Sequence, residues 1–127
     1  MNTVSFETCC GSAQDAIAAW KGGAKRVELN SDLFHGGLTP SIGDLIVTKR
    51  MAPDLKVMCM VRPRESGFCY TDCEFEVMLA DAAALLEHGA DGIVFGFLKE
   101  DGTVDTKRCQ KMLEVIGSKE SVFHRAI

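Results

Sequence analysis

Apolar runs and helix-period segments alternate along the whole chain. Residues 4–8 predict a first strand, and residues 12–21 predict a helix with Ser12 as its N-cap and an alanine-rich body behind it. Gly22 and Gly23 end that helix, because glycine accepts the left-handed backbone of a helix C-terminus. Residues 26–29 predict a second strand. A loop over residues 31–40 carries Gly36 and Gly37, and Ser41 caps a helix over residues 42–51. Residues 56–61 predict a third strand, with Pro63 enforcing extended backbone at its end. The next helix is the clearest. It opens at Asp72 or Cys73, and Phe75, Met78, Leu79, Ala82, Leu85 and Leu86 recur at three- and four-residue spacing. Gly89 closes it, with His88 in the last turn, where a cation suits the helix dipole. Residues 93–97 predict a fourth strand, residues 105–116 an amphipathic helix, and residues 121–124 a fifth strand.

A weak internal repeat runs through this pattern. Residues 23–28 resemble residues 89–94, each joining a helix end to a strand. Repeated β-α units imply parallel strands with right-handed crossovers. Two architectures fit: an open doubly wound sheet, or part of an eight-stranded barrel, which takes roughly 250 residues when whole. Periodicity does not choose between them.

Composition narrows the function classes. The chain has 127 residues, 46% hydrophobic and 25% charged, which suits one globular domain. Its formal charge is −4 and it has no basic run, so nucleic acid is not an expected partner. The most apolar stretches, residues 57–61 and 93–98, are strand-sized, so no membrane partner is expected either. The first ten residues lack the basic and apolar regions of a signal peptide, and the expected location is cytoplasmic. Six cysteines show no regular framework and no CxxC pair, which argues against disulfides and a structural zinc site.

Six segments in order carry a family resemblance. They are Arg26-Val27-Glu28-Leu29, Gly36-Gly37-Leu38-Thr39-Pro40-Ser41, Val61-Arg62-Pro63-Arg64, Gly67-Phe68-Cys69-Tyr70-Thr71-Asp72, Gly89-Ala90-Asp91-Gly92-Ile93-Val94-Phe95-Gly96 and Phe123-His124-Arg125-Ala126. Together they resemble the first half of the CutC family, known as copper homeostasis proteins. The resemblance implies a TIM-like barrel that continues for roughly a hundred residues beyond the last segment. The expected fold is therefore α/β, an incomplete TIM (β/α)8-like barrel of about four βα units plus a fifth strand, spanning residues 1–127 as one domain. Self-association through the half-open lumen and unpaired edges is the accompanying expectation.

In a barrel, working residues gather at the C-terminal ends of strands. Those ends supply Glu7 and Cys9, Glu28 and Asn30, Arg62 and Arg64, and His124 and Arg125. Glu7, Glu28, Arg62 and His124 form the candidate catalytic cluster, with Arg64 and Arg125 available to bind a cofactor or small anionic ligand. Arg62 between two carboxylates is expected to keep both ionised, leaving His124 to titrate near neutral pH. The bland alternative is a structural ion-pair layer of Glu7, Glu28 and Arg62.

Copper is the ligand and cargo that the resemblance implies. Cu(I) favours thiolate and thioether ligands. Cys9 occupies the position of a cysteine proposed as a ligand in the family. Its partner is replaced by Asn30, in Glu-Leu-Asn-Ser where other members have Glu-Leu-Cys-Ser, and an amide is a poor Cu(I) ligand. Met58 and Met60 share a strand face and read as core filling. Cys59 and Cys109 read as small buried hydrophobes, and His35 as a solvated loop histidine.

Overall fold

Each α-helix begins on a side chain that accepts from its first turn. In the computed structural model, which describes residues 4–126, Ser12 caps α1 (Ala13–Lys21), Ser41 caps α2 (Ile42–Met51) and Asp105 caps α4 (Thr106–Ile116). The start of α3 (Asp72–Glu87) is a capping box that the sequence reading missed. Thr71 Oγ1 accepts from the Glu74 amide at 3.1 Å, and Glu74 Oε1 accepts from the Thr71 amide at 2.8 Å. Caps of this kind stabilise a helix by about 1 kcal/mol each.

Between the helices run β1 (Thr8–Cys10), β2 (Arg26–Leu29), β3 (Lys56–Met60), β4 (Gly92–Phe95) and β5 (Glu120–Phe123). They form one parallel sheet in the order β1-β2-β3-β4-β5. Val27, Leu29, Val57, Cys59, Ile93 and Phe95 point to one face and join Leu45, Met78, Leu85 and Met112 of the helices in the main core. The opposite face has its own small cluster of Met58, Met60, Val94 and Val122, with no helix residue in it. Helices therefore cover one side only, as in five strands of a TIM-type barrel. No helix among the described residues is long and apolar enough to cross a membrane.

The first strand departs from expectation. It covers Thr8–Cys10 rather than residues 4–8, because Thr8 already pairs with Val27, near the start of β2. Earlier residues find little ladder beside them, and Val4 and Phe6 lie exposed.

One glycine fixes how tightly the lumenal face closes. A Cβ on Gly92 would stand 2.6 Å from both the Met58 sulfur and the Glu120 carbonyl oxygen. Met58 is fully buried across the space that Gly92 leaves. Gly92→Ala is expected to destabilise the fold by about 1–3 kcal/mol, the usual cost of overpacking. Urea denaturation measures it, and the midpoint should fall without a change in slope.

Candidate functional site

Strand alternation sends every second residue into the lumen, and register sets its height. Cys9 pairs with Glu28, Glu28 with Met58, and Met58 with Gly92. Below this row lies a chain of ion pairs. Arg26 bonds Glu7 through Nε and Glu120 through Nη1 at 3.0 Å, and Lys56 Nζ reaches the other Glu120 oxygen at 2.7 Å. These contacts tie β2 to β5 across the lumen.

Above it opens a cavity of about 700 Å³, lined by Cys9, Glu28, Met60, Arg62, Phe68, Val94, Val122, His124 and Arg125, with His35 and Gly36 at its loop side. Five of the seven residues proposed from sequence, Cys9, Glu28, Arg62, His124 and Arg125, meet here. Glu7 and Arg64 do not. Arg64 forms a two-point ion pair with Glu74, donates to the carbonyls of Glu65, Ser66 and Cys69, and lies over the Tyr70 ring. It orders the loop before α3, and its guanidinium is engaged there.

The expected sandwich of Arg62 between Glu7 and Glu28 is corrected. The arginine flanked by two carboxylates is Arg26, and its second partner is Glu120. The reason is height: the register that pairs Thr8 with Val27 sets Glu7 level with Arg26, whereas Arg62 lies beyond the end of β3. Arg62 instead donates from Nη1 to the carbonyls of His35 at 3.3 Å and Gly37 at 3.5 Å. Its guanidinium stacks 5.0 Å over Phe68, whose ring lies 4.9 Å from that of His124.

No cation bonds to Glu28 among the described residues, and its carboxyl takes up a proton more readily than an ordinary one. Burial pushes its carboxyl up and the Glu7 charge adds to this, opposed by the Asn30 amide hydrogen bond. Asn30 is buried at the end of β2, with Nδ2 3.2 Å from Glu28 Oε1 and 3.5 Å from Cys9 Sγ. Gly37, at φ 93°, lets the loop pass over it, since a Cβ there would fall 2.5 Å from Asn30 Oδ1. The Cys9 thiol is itself pushed up by burial and by Glu28 and Glu7.

His124 is corrected too. Burial and the charges of Arg62 and Arg125 lower its pKa to about 4, so the imidazole is neutral at neutral pH. β5 ends at Phe123, and with the strand over, Arg125 joins His124 at the cavity. Two nitrogens of the cavity residues, Arg62 Nε and His124 Nε2, are buried with no hydrogen-bond partner among the described residues. Sequence reasoning missed Phe68 and set Met60 aside as core. Alternation back from Arg62 along β3 reaches Met60, but nothing local marks Phe68. His35 lies at the cavity edge, its ring 2.7 Å from Asp32 and 3.7 Å from Glu65.

Fold and cavity together define a parallel α/β protein of partial TIM-barrel type, with a cavity at the C-terminal ends of its strands. The CutC family pattern matches residues 4–127, and the chain belongs to that family. A CutC family protein of Treponema denticola is 53% identical over all of this chain and 51% of its own length. The human copper homeostasis protein cutC homolog is 43% identical over 98% of this chain and 45% of its own. The crystal structure of a CutC protein from Streptococcus agalactiae superposes with a TM-score of 0.90 at 30% identity, covering 98% of this chain and 60% of that one. The chain spans about half the length of the curated relatives it matches. Among the described residues no group of three or more His, Cys, Asp or Glu side chains is placed to hold a metal ion.

The His124 environment has a consequence for stability. Its folded pKa of about 4 lies below the ordinary 6.5, so the unfolded chain takes up the proton first as pH falls. Stability present above pH 6.5 is lost progressively down to pH 4. Urea unfolding should show a steeper decline over that window in the wild type than in His124→Gln, the difference reaching about 3 kcal/mol.

Proposed function

We propose that the lumenal pocket binds a small oxyanion-bearing ligand, a phosphate or carboxylate, and that the chain serves as the ligand-binding half of a cytoplasmic CutC-family barrel. The observation that carries this reading is the placement of Arg62 and Arg125 on one cavity, with no carboxylate bonded to the Arg62 guanidinium among the described residues. An oxyanion supplies that guanidinium with a charged acceptor, and Arg125 adds a second positive charge to the same cavity. The neutral imidazole of His124 is able to donate one hydrogen bond without the repulsion that a third cation would bring. Glu28, protonated more readily than an ordinary carboxylate, is the pocket's candidate for proton exchange in an enzymatic version of this function. Calorimetric titration with inorganic phosphate should give saturable binding, weakened about tenfold or more in Arg62→Met, the loss of one charged hydrogen bond. Absence of phosphate binding at millimolar concentration overturns the reading.

A second reading is copper handling, which the names of the human, mouse and fly relatives support. Here copper is cargo. Cys9 and Met60 line the same cavity and offer one thiol and one thioether. The donor set is a poor match, because the neighbour of the Cys9 sulfur is an amide N–H of Asn30, a donor rather than a ligand. The thiol must also lose a proton that burial and two carboxylates retain. Cu(I) competition with a chelator should therefore show weak binding that Cys9→Ser removes and Asn30→Cys strengthens. Tight binding that survives Cys9→Ser excludes this site.

A further inference from the structure

Glu28 and Arg62 carry opposite charge into one cavity, yet neither closes on the other. Among the described residues the Glu28 carboxylate accepts from Asn30 at 3.2 Å and feels the neighbouring Glu7 carboxylate, and no cation bonds to it. The arginine on its own strand, Arg26, is held by Glu7 and Glu120. Arg62 is held at the far end by the carbonyls of His35 and Gly37 and by Phe68, and no carboxylate bonds to it among the described residues. The cavity wall also includes the apolar side chains of Met60, Val94 and Val122. Charges kept apart in this way bear a desolvation cost without the Coulomb gain that contact would return.

Building on the oxyanion reading above, we infer that the ligand is bipolar. Its oxyanion meets Arg62, and an ammonium group at the other end of a short aliphatic body meets Glu28. Met60, Val94 and Val122 contact that body, and a cavity of about 700 Å³ has room for a metabolite of this size. Asn30 is a positioning residue: buried and bonded to Glu28, it fixes the carboxylate without neutralising it. The burial that raises the Glu28 pKa is what an arriving ammonium offsets, since an opposite charge nearby favours the ionised carboxylate.

Matched probes test this on the full chain by calorimetry: phosphoethanolamine and aminopropyl phosphate against ethyl and propyl phosphate, with inorganic phosphate as reference. An aminoalkyl phosphate should bind at least about tenfold tighter than the alkyl phosphate of equal length. Glu28→Gln should reduce that ratio to under about twofold, because the advantage of the amino compound over the alkyl compound depends on the carboxylate charge. Equal affinities of the amino and alkyl compounds for the wild type overturn the bipolar ligand and leave the oxyanion reading standing. A preference that survives Glu28→Gln overturns the role of Glu28. Failure of inorganic phosphate and all four probes to bind overturns the oxyanion reading itself. Should circular dichroism show that Glu28→Gln does not fold, the wild-type ratio alone decides.

Discussion

A parallel strand backed by helices on one side must turn every second side chain toward the inside of the curve. All the chemistry of this chain follows from what stands at those inward positions. Arg26 and Glu28 on β2, and Asn30 just past its end, alternate with Val27 and Leu29, which enter the helical core. Lys56, Met58, Met60 and Arg62 alternate with Val57, Cys59 and Val61. The lumen is thereby divided by height into an ionic floor, a methionine and valine middle, and a basic upper end. Gly92 belongs to the middle, where its missing side chain admits Met58.

These levels solve the burial problem differently. The floor is partly wet: side chains of Arg26, Lys56 and Glu120 keep between 21% and 46% of their exposure. Pairs of that kind stabilise by about 0–1 kcal/mol, so their contribution to net stability is small. Their effect on charge placement is larger. By engaging Arg26 with Glu7 and Glu120, the floor removes from Glu28 the cation nearest to it along its strand. The polar character of the pocket is thus set one level below it.

Most of the fold was legible because its signals are local. Cap residues Ser12 and Ser41, glycines after helices, and three- and four-residue spacing in α3 each act within a few residues. The first strand was misplaced because its extent depends on where β2 begins, a fact about another segment. The site divided in the same way. Alternation placed Cys9, Glu28, Arg62 and His124 on the inner face, since that needs only the strand they occupy. Choosing which arginine meets which carboxylate requires register between strands, and there Arg62 was chosen over Arg26. Phe68 and Arg64 depend on the path of the loop after β3, where no period operates. The depressed His124 pKa depends on burial supplied by Phe68 and on two arginines from different segments.

The same electrostatics bear on the choice of ligand. A proton and a monovalent copper ion carry equal charge, so a field that opposes one opposes the other. Burial first, then Arg62 and Arg125, hold the proton off His124 until about pH 4. An unprotonated imidazole is in itself a good metal ligand. Here, however, the guanidiniums that help keep it unprotonated repel an incoming cation as well. On the opposite wall the thiol of Cys9 keeps its proton beside Glu28 and Glu7, which denies the cavity the thiolate that Cu(I) prefers. An oxyanion meets the reverse conditions at the basic end: two positive charges and a neutral ring. A cation gains only at the Glu28 wall, and there a carboxylate suits an ammonium better than a soft metal. A ligand that carries both charges on one molecule is the solute for which both walls act in the same direction.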